Sequence, residues 1–138
     1  MISIKKNDFS IEKEIEKIKS QHSNIGAISS FTGYVRNINN KKKVKNINLE
    51  VYKEMAIKEL KKISNTAIKK WNLVDTLIIH RYGKLKINEK IVLVACFAKH
   101  RKESLESCGY IMDYLKKDAP FWKNEFYYKD DEWLENSS

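Results

Sequence analysis

Proline and glycine are scarce: one proline, Pro120, and four glycines stand in 138 residues. That leaves no composition for a long flexible linker, and a chain this short holds one core, so a single domain over residues 1–138 is expected. Long apolar runs are missing too. The longest, Ile91 to Ala98, is far too short to span a bilayer. Lys5 and Lys6 are not followed by an apolar stretch, so no signal peptide is read and a cytoplasmic location is expected. Cysteine occurs twice, as Cys96 and Cys108, both in apolar surroundings. Two buried free thiols in a reducing compartment fit this pattern, with a disulfide or a catalytic thiol as the alternative. The glycines are isolated, which excludes a phosphate-cradling loop. No His or Cys pair has metal-ligand spacing, and no serine has the surroundings of a nucleophile elbow. No metal and no cofactor are therefore expected.

What is abundant is lysine. The formal net charge is +9. A basic balance of this size suggests nucleic acid, but its distribution argues otherwise. Residues 1–70 hold 16 Lys and Arg against 7 acids, whereas residues 71–138 hold 11 of each. The densest point, Lys41-Lys42-Lys43-Val44-Lys45, follows Asn37 to Asn40 and reads as a loop between strands. It is either simply solvated or a contact for an acidic protein or nucleic acid. Arginine occurs only as Arg36, Arg81 and Arg101. In so lysine-rich a chain an arginine suggests use of its planar, bidentate fork.

Periodicity outlines the elements. Ser10 can cap a helix facing inward through Ile11, Ile15 and Ile18. Residues 27–36 read as a strand, with Gly33 at a bulge or close approach. Ile47, Leu49 and Val51 alternate with polar neighbours as in a half-buried strand. Ala56, Leu60, Ile63, Ala67 and Trp71 share one helical face. Val74 to His80 is a strand, Tyr82-Gly83-Lys84 a turn, and Ile91 to Ala98 a central strand. A helix from about Arg101 to Lys116 presents Leu105, Cys108, Met112 and Leu115, and Pro120 blocks its continuation. Phe121 to Tyr128 is extended, and Asp130-Asp131 turns toward Trp133. The order predicts an α+β domain with a mostly antiparallel sheet and packed helices.

Several cations sit next to order-imposing residues. Arg36 follows a strand end, a common place for a ligand-facing side chain and equally for a surface arginine. His100 and Arg101 open a helix, whose free N–H groups suit an anion, although His100 also fits a core or capping role. Lys116 and Lys123 flank Pro120-Phe121-Trp122. His80 and Arg81 close a strand and read as mainly structural. Fifteen residues separate Arg101 from Lys116, which is ~22 Å along a continuous helix. A small metabolite cannot touch both. Either the helix breaks near Gly109, or two subunits bring opposite helix ends to one site; the second is preferred.

Phe31-Thr32-Gly33-Tyr34-Val35-Arg36, Leu49-Glu50-Val51-Tyr52, His80-Arg81-Tyr82-Gly83, Lys99-His100-Arg101, and Asp113-Tyr114-Leu115-Lys116 running into Ala119-Pro120-Phe121-Trp122-Lys123-Asn124-Glu125 appear in this order. Together they resemble the large, catalytic subunit of molybdopterin synthase over roughly residues 26–133. The resemblance implies a hammerhead-type α+β fold and a sulfurtransferase of molybdenum cofactor biosynthesis. It implies a central homodimer with a small ubiquitin-like sulfur-carrier subunit at each end, a heterotetramer overall. The carrier's C-terminal Gly-Gly thiocarboxylate enters a pocket of the large subunit, and its sulfur passes to cyclic pyranopterin monophosphate to form the molybdopterin dithiolene. By the same resemblance Lys116 and Lys123 are catalytic. Tyr34, Val35, Arg36, His100, Arg101, Asn124 and Glu125 contact substrate. The thiocarboxylate is itself the nucleophile, so neither cysteine nor metal is called for.

The competing reading is a basic α+β module that binds RNA through Lys41 to Lys45 and aromatics such as Tyr127 and Tyr128. It accounts for the charge. It leaves unexplained why Arg36, His100, Arg101, Lys116 and Lys123 lie in ordered, aromatic-rich segments.

Overall fold

The computed structural model describes residues 1–39 and 41–127. The chain runs β1 (Ile2–Lys5), α1 (Ile11–Lys19), β2 (Ala27–Tyr34), β3 (Ile38–Asn39), β4 (Lys42–Val51), α2 (Lys53–Trp71), β5 (Asp75–Arg81), β6 (Gly83–Lys86), β7 (Lys90–Ala98), α3 (Arg101–Lys117) and β8 (Phe121–Tyr127). The turn expected at Asp130-Asp131, with Tyr128 and Trp133, lies outside the described residues.

The apolar run is the centre of the first sheet, whose order is β1-β5-β7-β2. β7 pairs antiparallel with both β2 and β5, and β1 adds to β5 in parallel. A strand covered on both faces needs no polar alternation. Val92, Val94, Cys96 and Ala98 share a cluster with Ala56, Leu60, Ile63 and Ala67 of α2 and with Cys108 and Ile111 of α3. Leu93, Ala95 and Phe97 share the other cluster with Ile18 of α1 and Phe9. Fully burying side chains such as Leu93 or Phe97 stabilises by about 1.5–3 kcal/mol each.

β4 carries the second sheet. It pairs antiparallel with β3 at Lys42 and Lys43, and with β6 and β8 at Asn46–Leu49. Because β6 and β8 meet the same β4 residues, they occupy its two edges. Val35, Val44, Ile47, Leu49 and Leu85 form a core of their own here. Both free cysteines are buried. The Cys96 thiol beside it, together with burial, pushes the Cys108 thiol up.

Three expectations change. The basic run is not a loop: Lys41 turns with φ 64, and Lys42 onward is strand. The alternation of β4 was hidden there because lysine stems can line an exposed strand edge without an apolar signal. Tyr82-Gly83-Lys84 is not a separate turn: Tyr82 alone divides β5 from β6, and Gly83, with φ 89, and Lys84 already belong to β6. On α3 the buried residues are Ser104, Ser107, Cys108 and Ile111, whereas Leu105 is 63% exposed. Small serines let the helix lie close on the sheet, and Ser104 Oγ meets Ser29 Oγ of β2 at 2.7 Å. Other expectations match. Ser10 Oγ accepts from the Lys13 N–H at 3.3 Å, capping α1. α3 is unbroken through Gly109.

Candidate active site

β8 helps to build a cavity lined by two cations. Its pairing sets Lys123 opposite Leu49 and Glu125 opposite Ile47, so both project from the same side of a pleated strand. There they line a small cavity of about 50 Å³ together with Tyr34, Val35, Arg36 and Asn39, over an apolar floor of Val44, Ile47 and Ile91. Val35 anchors the β2 end of this wall. Its N–H donates to the Glu89 carbonyl at 3.0 Å and its carbonyl accepts from Asn88 N–H at 2.9 Å. That leaves Tyr34 and Arg36, on either side of it, exposed.

Glu125 is the electrostatic pivot. Its side chain is 7% exposed and its Oε1 lies 2.5 Å from Lys123 Nζ. Asn39 Nδ2 donates to both carboxylate oxygens at 2.7 Å, and the Tyr127 hydroxyl donates to Oε2. Burial alone would raise this acid. The hydrogen bonds from Lys123, Tyr127 and Asn39 outweigh it and hold the carboxyl at about 2. An ionised Glu125 therefore fixes the direction of the Lys123 ammonium, while Arg36 supplies a second cation. Such a wall suits an anion with a flat apolar body.

Lys116 lies in the last turn of α3 and lines a different cavity, of about 320 Å³, with His80, Val92, Met112, Asp113 and Leu115. The two lysines are joined through β8. Phe121, its first residue, stacks on His80 with ring centroids 3.6 Å apart and an interplanar angle of 15°. α3 itself is tied to α2 by the Tyr114 hydroxyl, which donates to Glu59 at 2.9 Å. Burial and that acid push the tyrosine up to about 12.

The remaining expected residues stand apart. His100 is the N-cap of α3 and lines a third cavity, of about 230 Å³, with Trp71, Asn72, Lys99 and Glu103. Arg101 is the first, exposed residue of α3. Gly26 fixes this corner: a Cβ there would meet the Lys99 carbonyl oxygen at 2.1 Å. Asn124 is on the opposite side of β8 from Lys123 and donates to Glu50 at 3.2 Å. One chain thus brings Tyr34, Val35, Arg36, Lys123 and Glu125 together, connects Lys116 to them through His80, and holds His100 and Arg101 at the far end of a 17-residue helix. Sequence reading missed Asn39, whose place inside an apparently solvated loop carried no signal. In the sequence His80 has only the signal of a strand end. Arg81 does prove structural: its guanidinium donates to the Lys6 carbonyl at 2.9 and 3.1 Å and to the Lys90 carbonyl at 3.0 Å.

Similarity to known proteins shows the family. The family model described as MoaE protein matches residues 4–118. The molybdopterin synthase catalytic subunit of Ralstonia nicotianae is 44% identical over 124 residues, covering 90% of this chain and 70% of the relative. The molybdopterin synthase structure from Staphylococcus aureus superposes with a TM-score of 0.85 at 31% identity, covering 92% of this chain and 91% of that one. A Helicobacter pylori structure, a protein–protein complex of subunits 1 and 2 of molybdopterin-converting factor, shares the fold with a TM-score of 0.76 at 21% identity, covering 94% and 90% of the two chains. By the family match and these identities, the chain belongs to the MoaE family of molybdopterin synthase catalytic subunits.

Proposed function

We propose that this protein transfers sulfur from the C-terminal thiocarboxylate of a small ubiquitin-like carrier to cyclic pyranopterin monophosphate, building the molybdopterin dithiolene. The observation that carries the reading is the Lys123–Glu125 pair facing Arg36 in one cavity, linked by the His80–Phe121 stack to the cavity of Lys116. The reaction handles two anions, a phosphate and a thiocarboxylate, so fixed cations are its main requirement. The thiocarboxylate sulfur bonds to a pterin side-chain carbon as a carbon–oxygen bond at that carbon breaks and the oxygen group leaves with a proton, and a second carrier repeats the exchange at the neighbouring carbon. Water then attacks the acyl carbon, the carbon–sulfur bond to the carrier breaks, and the carrier leaves as a carboxylate. Lys116 stabilises the charge on the carrier's terminal carbonyl. Lys123, oriented by Glu125, holds the pterin or relays its proton. Arg36, His100 and Arg101 take the phosphate, Tyr34 and Val35 shape the wall, and Asn124 holds the strand edge.

Lys116 and Arg101 lie at opposite ends of α3. The reading is therefore of a homodimer in which His100 and Arg101 of one protomer complete the pocket of its partner, with a carrier at each end, working in the cytoplasm. The Helicobacter pylori complex supports a second-subunit partner. The family match gives the RNA-binding reading no support.

The test supplies purified protein with thiocarboxylated carrier and cyclic pyranopterin monophosphate and assays dithiolene product. Wild type is expected to make it. Lys116→Ala and Lys123→Ala are expected to fall by on the order of 10²–10⁴-fold. A Lys116→Ala protein that converts precursor at the wild-type rate overturns the assignment.

A further inference from the structure

His80 is a buried titratable side chain that sulfur transfer leaves without a chemical task. It is 8% exposed and pairs with Val92 on the central sheet. Its Nδ1 lies 2.8 Å from the Arg81 carbonyl oxygen. A carbonyl can only accept, so Nδ1 carries the hydrogen. The neutral ring then has its lone pair on Nε2. Burial keeps the ring neutral, drawing it down to about 4 against the opposing pull of the Arg81 carbonyl. Among the described residues no hydrogen bond reaches Nε2, and the side chain lines the cavity that also holds Lys116.

The lining of this cavity thus combines His80, whose Nε2 is an unpaired neutral acceptor, with the Lys116 cation, the Asp113 carboxylate and the apolar Val92, Met112 and Leu115. A ligand that matches it carries an anionic end and, a few bonds back, an N–H donor in a slim, uncharged backbone. The last residue of a peptide has that pattern. We infer that His80 is a tail-binding residue, its Nε2 accepting a hydrogen bond from the last peptide N–H of the carrier while Lys116 holds the terminal anion. The inference rests on the reading that a carrier tail enters the Lys116 cavity. Its consequence is positional. The stack with Phe121 makes the residue that seats the tail the same one that anchors the start of β8, the strand carrying Lys123.

The test uses two carriers ending in Gly-Gly, both with a free carboxylate. One is unmodified; in the other, made by semisynthesis, the last amide is replaced by an ester, which removes one N–H. Their affinities for the full-length protein are measured by calorimetry. Wild type is expected to bind the ester carrier about 5- to 10-fold more weakly, the effect of one neutral hydrogen bond. His80→Asn keeps a donor toward the Arg81 carbonyl, and His80→Phe keeps the stack on Phe121; both lack Nε2. Each is expected to bind the two carriers within about twofold of one another. Equal ester penalties in wild type and in either folded variant overturn the inference, and so does the absence of a penalty in wild type, whether or not the variants fold. Failure of wild type to bind even the unmodified carrier overturns the underlying reading of the site instead.

Discussion

Glu125 and His80 set two separate pH windows at the residue scale. Glu125 has its folded value depressed to about 2 from an ordinary 4.5. Its contribution to stability is full above the ordinary value and is lost as pH falls toward 2. His80 is depressed to about 4 from 6.5, so its contribution is full above 6.5 and is lost as pH falls through 4. Thermal melts across pH check both. Glu125→Gln is expected to flatten the lower window and His80→Asn the upper one, each leaving the other in place. Glu125→Gln also releases the Lys123 ammonium from its fixed direction. A drop in kcat/KM of about 10²-fold is expected. Arg36, Lys116 and Lys123 were legible in the sequence because each stands beside a strand end or Pro120. Asn39 was not. An uncharged amide in a polar run gains meaning only when the β3–β4 hairpin folds it over Glu125.

At the scale of elements, α3 shows where hydrophobic patterning misleads. Its apolar stripe includes Leu105, yet the face against the sheet is Ser104, Ser107, Cys108 and Ile111. Close approach selected small residues there, and hydrophobicity does not record closeness. Ser107→Leu is expected to destabilise by about 1–3 kcal/mol through overpacking. Leu105→Ser is expected to cost under about 0.5 kcal/mol. Urea denaturation of the two variants checks the contrast. The burial of β7 was readable because a strand covered on both faces is apolar throughout. The strand character of Lys42–Lys45 was not, because an exposed strand of lysines has the composition of a loop.

At the scale of the whole molecule, the helix is the main constraint. α3 runs unbroken from Arg101 to Lys117, so the two sets of cations it carries cannot serve one small substrate within a single chain. The α+β class and the antiparallel pairing followed from element order. How the two sheets share the strands did not, since β8 returns to pair with β4 from more than seventy residues away. The excess positive charge of the first half marks the β4 hairpin more than the pocket. A sulfur-transfer site shared between two protomers makes a direct demand: two inactive variants must complement each other when mixed. Arg101→Ala and Lys116→Ala proteins are co-refolded, mixed dimers are verified by mass, and dithiolene formation is assayed with thiocarboxylated carrier. In a two-fold dimer each mixed pair contains one intact site, so activity is expected to recover to about a quarter of wild type. Mixed dimers that remain as inactive as either parent would rule out a shared site.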